Sequence, residues 1–139
     1  LKVLLDTGVL MDVALARENF GPDSRALIEW CQHAPQTAAV AWHTVSNLFY
    51  LLGAARSNSF ARLFLGHLLE FAVVATGGTE SVRHALTMQM NDFEDALQVA
   101  AAISIDAEFI ITRNIADFRR SVIPVLTPRN FLVRFAGQK

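Results

Sequence analysis

The chain has 139 residues, 53% of them hydrophobic and 18% charged, and a net charge of −1. This excludes a disordered segment, suits one domain over residues 1–139 with a sizeable core, and leaves any nucleic-acid contact to a local basic patch. No apolar run is long enough to span a bilayer, so no membrane role is expected, and the lone cysteine, Cys31, excludes an internal disulfide and fits a reducing, cytoplasmic setting.

Val3-Leu4-Leu5 reads as a short buried strand, followed by Asp6-Thr7-Gly8 and a helix from Val9 to Arg17, which Thr7 would cap. Gly21-Pro22-Asp23-Ser24 starts a second helix, which His33-Ala34-Pro35 ends. Thr37 to Trp42 is a second strand. His43 to Leu52 is a core-facing helix ending near Gly53, with His43 able to cap it. Ser57-Asn58-Ser59 opens a further helix, and the hairpin around Leu51 to Leu69 is apolar enough to suggest a homodimer surface. Phe71 to Ala75 is a third strand, and Thr79-Glu80-Ser81 starts a helix through Met88. Asn91 to Glu94 opens another through about Ile105. Glu108 to Thr112 is a fourth strand. Val122 to Leu126 is a fifth, which Pro124 assigns to a sheet edge, and Pro128 starts a last helix. Strands alternating with helices predict an α/β fold: a three-layer αβα sandwich around a mostly parallel sheet of about five strands. Trp42, Phe60, Phe64, Phe71 and Phe109 are read as core.

Three carboxylates stand where parallel strands deliver residues to one sheet edge. Asp6 follows the first strand, Asp95 lies in the first turns of a helix, and Asp117 follows the fourth strand through Thr112-Arg113-Asn114. Converging carboxylates repel, and a hard divalent ion with oxygen ligands, Mg²⁺ or Mn²⁺, would neutralise them. Such an ion activates water and stabilises charge on a phosphodiester oxygen. Each acid also has a structural reading: Asp6 as a turn acid, Asp95 as a helix-dipole acid, Asp117 as an exposed loop acid. Asp92 reads first as the N-cap of its helix, one turn from Asp95, and Glu94 as facing solvent. Asp12, inside the first helix, is read as structural or as a group supporting the site residues from behind. Arg113, Arg119 and Arg120 surround Asp117 and could grip phosphates, with Arg17 and Arg56 as weaker additions. His33, His43, His67 and His84 lack zinc-ligand spacing.

Leu4-Leu5-Asp6-Thr7-Gly8-Val9-Leu10-Met11-Asp12 resembles the opening motif of PIN-domain proteins. Asp92-Phe93-Glu94-Asp95-Ala96-Leu97 resembles their acidic helix start, and Ile111-Thr112-Arg113-Asn114-Ile115-Ala116-Asp117-Phe118 their late strand-and-loop motif. The three occur in the family's order and together span nearly the whole chain. The resemblance implies a metal-dependent endoribonuclease acting on RNA, often the toxin of a toxin–antitoxin pair. It implies Asp6, Asp95 and Asp117 as metal-binding acids, with Thr7, Asn47, Asp92 and Asn114 supporting them. An antitoxin partner would insert a segment into the acidic groove. The chain departs from the family pattern at Gly8, where Asn is usual, and at Asn47, where Glu is common. The alternative those departures favour is a catalytically weak RNA- or protein-binding module on the same scaffold. Nucleotide-binding G-x-x-x-x-G-K-[ST] and G-x-G-x-x-G sequences are absent.

Overall fold

In a computed structural model that describes residues 1–136, short runs of apolar residues build the sheet. The strands are β1 (Val3–Leu5), β2 (Ala38–Ala41), β3 (Val73–Ala75), β4 (Phe109–Ile111) and β5 (Val125–Leu126). They lie in the order β3-β2-β1-β4-β5, and every pairing is parallel. Parallel pairing leaves both faces to be covered, which is why β1, β2 and β4 are buried along their whole length. β5, which follows Pro124, takes one edge, as its sequence required.

Alternation along the strands sorts the two cores. Val3, Leu5, Val40 and Ile111 face one way, toward Leu10, Leu27, Trp30, Leu48, Leu52 and Phe131. These come from α1 (Thr7–Ala14), α2 (Gly21–Gln32), α3 (Trp42–Ala55) and α7 (Pro128–Phe135), with α4 (Asn58–Leu68) adding Ala61 and Leu68. Leu4, Ala39, Ala41, Ala75 and Ile110 face the other way, toward Val99, Ala101 and Ala102 of α6 (Phe93–Ser104). Alanines on both sides of that interface let α6 lie close to the sheet. α5 (Thr79–Thr87) packs on α6 through Ala85 against Ala96 and Ala100. The result is the expected three-layer αβα arrangement, and it holds Cys31 buried, with burial pushing the thiol up to about 12.

Several local expectations are corrected. Gly53 lies inside α3, which runs on to Ala55. Trp42 is 47% exposed, because β2 stops at Ala41 and the indole falls on the first turn of α3, outside the core. Thr7 and His43 cap nothing: the N-cap residues of α1 and α3 are Asp6 and Ala41, and neither helix has a side-chain cap hydrogen bond. Phe71 and Phe109 are buried, and Phe60 and Phe64 pack against the core, as read. No helix among the described residues is long and apolar enough to cross a membrane.

Candidate metal centre

Asp6 ends β1, the central strand, and its extended backbone turns directly into α1. Its carboxylate is fixed from two sides. Thr112 at the end of β4 donates to Oδ2 at 2.8 Å, and Gln98 Nε2 of α6 donates to Oδ1 at 3.2 Å. The same Thr112 hydroxyl accepts from Asn114 N at 3.1 Å, which ties the loop carrying Asp117 to the strand end. Burial raises the Asp6 pKa to about 6; the Thr112 hydrogen bond works against that rise, while the charges of Glu94 and Asp117 add to it.

The first turn of α6 supplies the next two acids. Asp92 is the N-cap, accepting from Glu94 N at 2.8 Å, as its position implied. Asp95 is half-buried, and its carboxyl is pushed up to about 8, first by burial and then by the charges of Asp92, Glu94 and Asp6. Glu94 corrects the sequence reading. Its side chain is 33% exposed and turned inward, with Oε1 3.3 Å from His43 Nε2 and 3.1 Å from Gln98 Nε2. A carboxylate only accepts, so His43 Nε2 carries the proton in that contact. Burial is the largest single influence and works against the Glu94 charge, yet His43, Gln98 and Asp95 together outweigh it and hold the carboxyl below its usual range. Oxygens of Asp6, Glu94 and Asp95 lie within 4.8 Å of one another.

Beneath these acids lies a polar cluster whose role the sequence reading missed. Gln98 is fully buried, and its amide nitrogen reaches Thr7 Oγ1 and Thr44 Oγ1 at 3.3 Å each, besides Asp6 and Glu94. Thr7 and Thr44 hydroxyls also meet each other at 3.1 Å. Two amide protons thus serve four oxygens, while Gln98 Oε1 has no hydrogen-bond partner among the described residues. One signal was available: Gln98 is a polar residue four positions after Glu94, on the same side of a helix whose body is otherwise Ala and Val.

Asp117 stands across a groove. It lies in a 3-10 turn, Ile115–Phe118, anchored in the core by Phe118, and its own side chain is exposed. Asp92, Asp95, Asp117, Arg119 and Arg120 line this groove of about 240 Å³. Arg120 also donates to Gln89 O at 3.3 Å. Arg113 is engaged elsewhere: it lies 3.5 Å from Asp12 Oδ2, too poorly aligned for a hydrogen bond, and its guanidinium sits over the Phe20 ring at 4.4 Å. Asp12, fully buried, accepts from Arg17 at 3.0 Å and is structural, as read. Asn47 is half-buried one turn beyond His43 and Thr44, and Asn114 is exposed. A Cβ on Gly8 would meet Arg113 and Asp6 at ordinary contact distances, so packing does not require glycine there. Arg17 lies at the end of α1 paired with Asp12, and Arg56 sits over the Phe60 ring.

The fold and the acids define a class: a wholly parallel αβα domain with a carboxylate cluster at the carboxyl edge of its central strand. Residues 2–116 match the family model described as a PIN domain, and the chain belongs to that family. Similar folds are seen in the VapBC2 complex of Rickettsia felis bound to promoter DNA, with 13% identity, a TM-score of 0.73 and coverage of 91% of this chain and 98% of that one. A toxin–antitoxin complex from Klebsiella pneumoniae gives 19% identity, a TM-score of 0.69 and coverage of 91% and 98%. VapC20 of Mycobacterium tuberculosis, a toxin that cleaves the sarcin–ricin loop, gives 15%, 0.64, and 78% and 87%. No curated protein matches the sequence.

Proposed function

We propose that this PIN domain is a metal-dependent endoribonuclease and the toxin of a toxin–antitoxin pair, working in the cytoplasm. The observation that carries the reading is the gathering of Asp6, Glu94 and Asp95 oxygens within 4.8 Å, with Asp117 lining the same groove as Asp95. The residues fit a hard divalent cation. Their donors are all carboxylate oxygens, the Asp6 and Asp95 carboxyls are raised by mutual repulsion as well as burial, and Gln98 leaves a buried carbonyl unpartnered. Mg²⁺ or Mn²⁺ held by Asp6, Asp95 and Asp117 would supply Lewis acidity toward water and phosphate oxygens.

The chain's own groups supply the rest. Thr112 and Gln98 orient Asp6. Arg119 and Arg120, exposed on the wall of the groove, hold the phosphates that flank the scissile bond. Arg113 is held against Asp12 and Phe20, outside the lining of that groove. Asn47 and Asn114 offer amide groups beside α3 and the Asp117 loop as supporting contacts. The likeness to toxin–antitoxin complexes supports a small antitoxin protein as partner. The exposed Tyr50, Leu51, Leu63 and Leu69 of the α3–α4 hairpin support self-association.

The test is cleavage of a structured RNA with Mn²⁺ or Mg²⁺ by the parent, Asp6→Asn and Asp117→Asn. The expected result is activity in the parent that chelation removes and a loss of at least a hundredfold in Asp6→Asn. Equal cutting by parent and both variants would show that the site lies elsewhere.

A further inference from the structure

We propose that Glu94 is itself a ligand of the divalent ion, held in place by His43, so that α6 presents two successive carboxylates to an ion shared with Asp6. The inference rests on the metal-dependent reading above and goes beyond it by naming a ligand and a positioning residue.

The geometry separates Glu94 from an ordinary first-turn acid. Such acids are stabilised by the helix N-terminus while pointing into solvent. The capping task on α6 is already met by Asp92, which accepts the Glu94 N–H. Glu94 instead turns inward across to α3. Both donors, His43 Nε2 and Gln98 Nε2, fall on its Oε1. This fixes the carboxylate from α3 and from within α6.

The ion is called for by more than the acids. Gln98 is fully buried at the base of the cluster, bridges Asp6 and Glu94 through its nitrogen, and still has an unpartnered carbonyl oxygen. A buried acceptor without a donor is rare in a folded protein, and an ion's water shell reaching Gln98 would complete its bonding. The helix opposite α6 explains why Glu94 is recruited. α3 reads WHTVSNLFYLLGAA and has no acid of its own to offer. What it brings to the cluster is His43 and Thr44, both buried, which act on Glu94 and Gln98. The added carboxylate therefore comes from α6, next to Asp95, and α3 holds it.

Calorimetric Mn²⁺ titration of the folded protein tests this directly. Against the parent, Glu94→Gln is expected to weaken Mn²⁺ binding at least tenfold, with an unchanged circular dichroism spectrum. Glu94→Asp keeps the charge but shortens the reach, and is expected to weaken binding at least threefold should the Gln variant not fold. His43→Leu is expected to weaken binding at least threefold. His43→Gln, which returns an N–H donor toward Glu94, should restore affinity to within twofold of the parent, a rescue that a merely space-filling histidine would not show. Parental affinity in either Glu94 variant, with binding lost in Asp6→Asn, overturns the ligand assignment and leaves the ribonuclease reading standing. Parental affinity in His43→Leu overturns the role of His43. A parent that binds no Mn²⁺ overturns the metal-dependent reading and this inference together.

Discussion

Asp12 shows how a residue beside a reactive site can serve the fold alone. It is wholly buried, yet two arginines from different segments reach it, Arg17 at 3.0 Å and Arg113 at 3.5 Å. Removing one member of such a cluster leaves cationic groups uncompensated. Asp12→Ala is expected to lower stability by about 2 kcal/mol, because both arginines keep some solvent to screen them. Urea unfolding measures it, and an unchanged midpoint would show that the ion pairs contribute nothing. At this scale the sequence was partly legible. Motif position and strand ends brought Asp6 and Asp95 to one edge, where the structure has them close, and N-cap preference gave Asp92 its cap. The inward turn of Glu94 was hidden, since it depends on His43, which lies 51 residues away and meets it only once α3 and α6 are placed.

Among the elements, α6 carries most of the clustered acids, and its first turn holds two opposed effects. Asp92 stabilises the helix through its cap, while its charge helps push the Asp95 carboxyl up to about 8. Asp92→Ala should remove the cap at a cost of about 1 kcal/mol, whereas Asp92→Ser should keep it. Both variants should lower the Asp95 pKa, readable by titration of its side-chain carbon resonance. A stability loss shared equally by Ala and Ser would show that the cap is not the cause. The elements themselves were well marked: breaker residues, apolar runs and helix-start signals located the five strands and seven helices to within a few residues. Trp42 was misplaced because β2 gives way to α3 at Ala41, which moves the indole off the sheet.

For the whole molecule, the acid cluster links stability to pH. A carboxyl whose folded pKa lies above its unfolded value stabilises the protein fully below that unfolded value, near pH 4. That contribution is lost as pH rises through the folded pKa, here about 6 for Asp6 and about 8 for Asp95. The metal-free protein should therefore melt at a progressively lower temperature from pH 5 to pH 8. Saturating Mn²⁺ should raise the melting temperature more at pH 8 than at pH 5, because the ion takes the place of the protons. A melting temperature flat across that range, with and without the ion, would contradict the raised carboxyls. The αβα architecture was readable because strand and helix patterns alternate along the chain. The full parallelism and the strand order follow from crossovers that periodicity does not reveal.

The exposure of Trp42 has an optical consequence. Its indole packs edge-on against the His43 ring, with centroids 5.9 Å apart, one residue from the group that grips Glu94. Trp30, the other tryptophan, is buried against Phe131. The emission of the two should differ in colour and in access to quenchers, so the red-shifted component comes from the rim of the acidic cluster. The chain carries its own fluorescent reporter of whatever arrives there.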